Sequence, residues 1–201
     1  MVIMFRSLIL VFCVVASSQI FATAQTPTPT PAAPTQAGYT RPGTSARRAR
    51  YLKNMFGPEA IVKNIAMGGL TTWSNSPREW GPNWRGFGKR VASNFGKEII
   101  SNTVKFGLEE AFELDSHYYR SRQHDLGPRL KNALVSTVTT RNREGDRVFG
   151  FPRIVGIYSS HIIAAEVWYP NRYGIKDGLR SGTFSLGMTA VYNIFKEFIH
   201  K

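Results

Sequence analysis

Three side chains near the middle of the sequence have the types and spacing of a metal or acid–base site. Glu110, Glu113 and His117 stand three and four residues apart, so a helix would place them on one face. Carboxylate and imidazole ligands at that spacing can hold zinc, iron or manganese, or move protons on a substrate. Further ligands must come from elsewhere, and His124, His161 and Glu166 are the obvious donors. The competing reading is a solvated helix end whose acids balance Arg120 and Arg122. His161 and Glu166 lie in an otherwise apolar helical stretch, where polar side chains need partners. They read either as a buried polar network or as part of a site, with Arg90 as one available partner.

A second candidate is the basic pair Lys89 and Arg90 in Gly86-Phe87-Gly88-Lys89-Arg90. The run resembles a phosphate loop only in part. The glycine required five residues before the glycine–lysine pair is Asn83, and the hydroxyl residue required after the lysine is Arg90. A basic pair in the first turns of a helix can still meet an anion. No nucleophile elbow, no HExxH and no serine–lysine pair is present, and no cofactor is expected.

The elements that must position these residues are helices. Ser45 can cap a short basic helix ending at Gly57, and Pro58 opens the next, to about Trp73. Its Ile61, Ile65 and Leu70 recur near helical spacing. Ser76-Pro77-Arg78-Glu79 reads as a capping box. A long helix is predicted from Gly86 to about Leu114, and the polar run from Ser116 to Gly127 as a loop. Pro128 opens a helix through Leu130, Leu134 and Val138, and residues 135–151 could hold a short β-hairpin. Pro152 starts a helix, apolar on nearly every side, that runs to Tyr169. Asp177 caps a last helix to about Phe198, with Phe184, Met188, Val191, Phe195 and Phe198 as one core stripe.

Upstream, residues 1–24 read as an export signal. Arg6 precedes an apolar run from Leu8 to Val15, and Ala22-Thr23-Ala24 is a cleavage pattern. Residues 25–44 alternate proline and threonine and read as a disordered linker. Residues 45–201 form the helical domain. Cys13 is the only cysteine, so the domain relies on packing rather than disulfides. The formal net charge is +13. Export argues against nucleic acid, and anionic lipid or an acidic envelope polymer is the better partner.

Small residues recur at every fourth position: Gly88, Ala92 and Gly96; Gly156, Ser160 and Ala164; Ser181, Ser185 and Thr189. Such series let helix backbones approach closely, in a water-soluble bundle or in one that partly inserts in a membrane. Ser181 to Phe195 carries no charge. Lys97, Glu98 and Lys105 interrupt the long helix, so no segment of the domain reads as an independent span.

With these residues in view, the chain resembles a family of uncharacterised small bacterial secreted proteins. The resemblance is carried by Pro77-Arg78-Glu79-Trp80-Gly81 and Gly86-Phe87-Gly88-Lys89-Arg90. It extends to Asp115 with Tyr118-Tyr119, Trp168-Tyr169-Pro170 and Gly182-Thr183-Phe184-Ser185-Leu186-Gly187. Ser116 stands where the family pattern has proline, so that loop departs from it. The resemblance implies a common fold and an exported location, and no catalytic residue.

The reading is therefore an all-α bundle of five or six helices with small-residue seams. It is expected to be a non-enzymatic envelope protein that associates with membrane or an acidic envelope component. The alternative is a hydrolase or metal-dependent enzyme using Glu113, His117 and His161.

Overall fold

The computed structural model describes residues Tyr39–Ile199. The expected signal and most of the expected linker lie outside those residues. Among the described residues six α-helices follow one another: α1 (Thr44–Phe56), α2 (Pro58–Trp73), α3 (Trp84–Ala111), α4 (Leu126–Val138), α5 (Phe151–Val167) and α6 (Ile175–Phe198). A single 3-10 turn, Arg78–Trp80, precedes α3. Strands β1 (Thr139–Arg141) and β2 (Arg147–Phe149) form the antiparallel hairpin, with Thr140 opposite Val148. The helical bundle with a short hairpin is the expected fold.

Local chemistry sets the boundaries. Pro58 sits in the first turn of α2, where its missing N–H costs nothing. Asn83 starts α3 two residues earlier than expected, because its side chain accepts from Gly86 N at 2.8 Å. Leu114 N bonds Glu109 O at 2.9 Å and Glu113 takes a φ of 53°, a left-handed stop that ends α3 at Ala111. Gly174, not Asp177, is the N-cap of α6. Asp177 instead accepts from Gly174 N at 3.1 Å. Ser76–Glu79 forms no capping box: Pro77 stands at the N-cap with no side-chain bond, and the Ser76 carbonyl accepts from Arg90 at 2.8 Å. Residues 39–42, expected in the linker, pack on the bundle. Tyr39 OH donates to Asp115 at 3.0 Å and Arg41 to the Glu109 carbonyl at 3.0 Å.

The helices pack side by side in the order α2, α3, α5, α6, α4, with α1 against α2 and α3. What holds them is unusual. Among the described residues the buried apolar set is Met55, Leu114, Ile157 and four alanines, Ala60, Ala133, Ala164 and Ala165. Small residues make the seams. A Cβ on Gly156 would stand 2.6 Å from the Ser101 carbonyl of α3, and one on Gly178 would stand 2.7 Å from Ile162 Cα of α5. Ser160 and Ala164 are buried with Gly156, as expected for α5. On α6, Gly178 and Gly182 make the close backbone approach, and of the expected series Ser181 joins them through a bond to His161 of α5. Gly88 is exposed and faces open space, so the α3 series reaches no neighbour there.

The outer faces are correspondingly apolar. Phe184, Met188, Val191 and Phe195 were expected in the core, yet they are 37–59% exposed. Asn193 and Glu197 take the inward positions of that half of α6. On α2, Ile61, Ile65 and Leu70 are exposed while Ala60, Asn64 and Gly68 are buried. On α4, Leu126, Leu130, Leu134 and Val138 are exposed while Asn132 and Thr137 are buried. No described helix is long and apolar enough to cross a membrane.

Candidate functional site

Each residue singled out for chemistry now has a place. Glu110 is in the last turn of α3 and forms a two-pronged pair with Arg47, both bonds at 2.6 Å. The Arg47 hydrogen bond leads in lowering its carboxyl below the usual range. Glu113 lies beyond the helix, exposed, 3.3 Å from Arg143. His117 lies past the isolated bridge between Asp115 and Arg141. The shared helix face of Glu110, Glu113 and His117 therefore does not exist, because α3 stops before two of them. Among the described residues, no group of three His, Cys, Asp or Glu side chains could hold a metal ion. Glu113, His117 and His161 form no triad. His124 and Glu166 are exposed.

His161 projects from α5 to α6, with Nδ1 2.8 Å from Ser181 Oγ. Burial, with Lys97 nearby, pushes its imidazole down to about 3, so it is neutral and serves packing. Arg90 is almost fully buried. Its guanidinium donates to the carbonyls of Ser76 at 2.8 Å, Pro77 at 2.7 Å and Gly81 at 2.7 Å. That fork ties the 76–81 turn to α3 and leaves Arg90 no freedom to bind an anion. Lys89 is exposed. The expected basic pair is split, one partner structural and one facing outward.

Two polar clusters were not legible in sequence. In the first, Asp115 accepts from Tyr119 OH at 2.7 Å, Tyr39 OH at 3.0 Å and His117 N at 2.9 Å. Burial alone would raise its carboxyl; those bonds and Arg50 outweigh burial and hold it low. The Arg141 guanidinium lies 5.4 Å from the Tyr39 ring centre and 5.3 Å from that of Tyr119. The cavity beside Asp115, His117 and Arg147 has a volume of only about 10 Å³, room for one water and no substrate. In the second cluster, Glu197 is fully buried. It accepts from Tyr118 OH, Ser121 N, Asn132 Nδ2 and Arg129 Nε. Asn193, one turn earlier, donates to Thr137 Oγ1 at 3.1 Å. These bonds fasten α6 to α4 and to the 118–121 segment.

The third feature is an open hollow of about 410 Å³ between the 3-10 turn, α3 and the end of α5. Trp80, Trp168, Ala92, Ser93, Gly96 and Lys89 line it. The Trp168 indole N–H donates to the buried Ser93 hydroxyl at 2.9 Å, which fixes that ring. Trp80 packs edge-on against Tyr169 with ring centres 5.2 Å apart. Among the described residues Lys89 is the one charged group of the lining, and no carboxylate is among them.

Comparison with protein-family models, curated proteins and solved structures finds no match to the chain. Fold and site together define a helical bundle with polar, small-residue seams, apolar outer faces and an aromatic hollow.

Proposed function

We propose that the chain is an exported envelope protein that works at an anionic membrane surface, laying its outer helical faces into lipid without enzymatic chemistry. The observation that carries this reading is the inverted placement along α2, α4 and α6. Small and polar residues face the neighbouring helices, and large apolar residues face away. Water gives no reason for that arrangement. Lipid does, because helices there associate through close approach and hydrogen bonds rather than by hiding apolar surface.

Dimensions and charge support the same reading. The exposed stripe from Phe184 to Phe195 extends about 16 Å at 1.5 Å per residue. That falls short of the roughly 30 Å hydrocarbon core and suits insertion into one leaflet. Lys176 and Arg180 are exposed one to two turns before the stripe, and the net charge of +13 draws the surface toward anionic headgroups. Export through residues 1–24, and membership of the family of small bacterial secreted proteins that the sequence resembles, belong to this proposal. So does an acidic envelope polymer as a partner of the same basic surface.

The test is sedimentation of the full chain with vesicles. It should pellet with vesicles rich in anionic lipid and be released in part by 1 M salt, with the apolar contribution retained. Equal recovery in the supernatant with and without vesicles at low salt would end the proposal.

A further inference from the structure

We infer that the hollow between Trp80 and Trp168 is a binding site for the aliphatic chain of an anionic amphiphile, with Lys89 holding the head group. The inference rests on the membrane reading in that lipid is the natural source of such a molecule.

The volume of about 410 Å³ falls in the range of small-molecule sites, roughly 300–1,000 Å³. Its walls are two indoles, and its floor is the small-residue face of α3. Gly96 keeps the floor low: a Cβ there would touch the Trp168 ring at 3.6 Å, and a longer side chain would fill the space. Trp168 is held by Ser93, so the wall is built before any ligand arrives.

The lining chemistry separates ligand classes. A sugar would require several hydrogen-bonding side chains around its ring. Here the Ser93 hydroxyl already receives the indole N–H, and among the described residues Lys89 is the only charged group of the lining. A cationic head would meet Lys89 with no carboxylate to offset it. An apolar tail with one negative head matches both the aromatic walls and the lysine at the exposed edge.

The probe is 9,10-dibromostearate, kept below its aggregation concentration, whose bromines quench a tryptophan they touch. The full chain carrying Trp73→Phe and Trp84→Phe retains Trp80 and Trp168 as its only tryptophans. Saturable quenching of this protein is expected. Gly96→Leu should abolish it, Ala92→Leu at an exposed position should do the same if Gly96→Leu fails to fold, and Lys89→Glu should weaken it about tenfold. The uncharged brominated alcohol should bind more weakly than the acid. No saturable quenching, or quenching unchanged in a folded Gly96→Leu or Ala92→Leu protein, would overturn the site. Vesicle sedimentation of the same proteins keeps the two proposals apart. Sedimentation without quenching removes the hollow and leaves the membrane reading; quenching without sedimentation does the reverse.

Discussion

Glu197 on α6 and Asn132 on α4 meet at 3.2 Å although 65 residues separate them. The carboxylate is fully buried, and Arg129 lies 3.3 Å from it. The pair is the centre of the joint between α4 and α6, both of which carry apolar outer faces. Glu197→Ala would leave the Tyr118 hydroxyl and the Ser121 N–H without their acceptor and would remove the carboxylate that pairs with Arg129. Removing one partner of a buried ion pair costs about 3–5 kcal/mol. Chemical denaturation should show a loss of that order, and a loss below about 1 kcal/mol would mean the joint is held otherwise.

Acid should unfold the protein in two stages. His161 is pushed down to about 3 by burial, while an unfolded histidine titrates near 6.5. The unfolded chain thus binds a proton that the folded chain refuses, so stability falls as pH drops below about 6.5. Glu197 adds to the trend at lower pH. Burial alone would raise its carboxyl, but its hydrogen bonds outweigh burial and hold it low. Its contribution is complete above the unfolded carboxylate value and disappears as pH falls through the lower folded value. Melting temperature measured from pH 7 to pH 3 should decline throughout, and His161→Asn should flatten the upper part.

Two glycines should respond oppositely to alanine. Gly178 abuts Ile162, with a would-be Cβ 2.7 Å from its Cα, so Gly178→Ala must separate α5 and α6. Overpacking of this kind costs about 1–3 kcal/mol. Gly88 lies in the second turn of α3 with nothing within 4 Å. Gly88→Ala should stabilise by about 0.5–1 kcal/mol through reduced backbone entropy in the unfolded chain. Thermal unfolding of the two variants in parallel decides the matter.

How far the sequence reveals this architecture varies from residue to residue. The Pro58–Trp73 helix is legible because proline and the following periodicity are local signals. The α6 stripe is equally legible as a stripe, but not in its direction. Period alone says that Phe184, Met188, Val191 and Phe195 share a face, and it says nothing of what that face meets. The polar residues on the other side become acceptable inside only because Tyr118, Asn132 and Thr137 reach them from 56 to 79 residues away. Lys89 and Arg90 are adjacent in sequence but separated by the 100° step of the helix, so one is buried and the other exposed. The hollow was beyond reach, since Trp80 and Trp168 come together only through the packing of α3 on α5.

Arg90 offers a test of geometry against charge. Its planar fork satisfies three backbone carbonyls at 2.7–2.8 Å. Lysine keeps the charge but cannot span those acceptors. Arg90→Lys should therefore destabilise nearly as much as Arg90→Met, each leaving buried carbonyls unpaired at about 1–3 kcal/mol. Full rescue by lysine would show that charge alone matters.

The outward stripe is open to direct perturbation. Val191 and Phe195 are about half exposed, so Val191→Ser with Phe195→Ser should leave helicity by circular dichroism unchanged. The same double variant should bind anionic vesicles at least about tenfold more weakly, as transfer of two large apolar side chains implies. Unchanged vesicle binding would point to a different face.

The joint centred on Glu197 also dictates an order of events during synthesis and delivery. Tyr118, Ser121, Arg129 and Asn132 emerge 65 to 79 residues ahead of the acceptor that completes them. At roughly 5–20 residues per second that gap lasts on the order of several seconds. Throughout it the Tyr118 hydroxyl and the Ser121 N–H lack the carboxylate that later receives them, so water is their cheapest partner. The joint that sets the apolar outer faces of α4 and α6 side by side is thus completed only once Glu197 has been made.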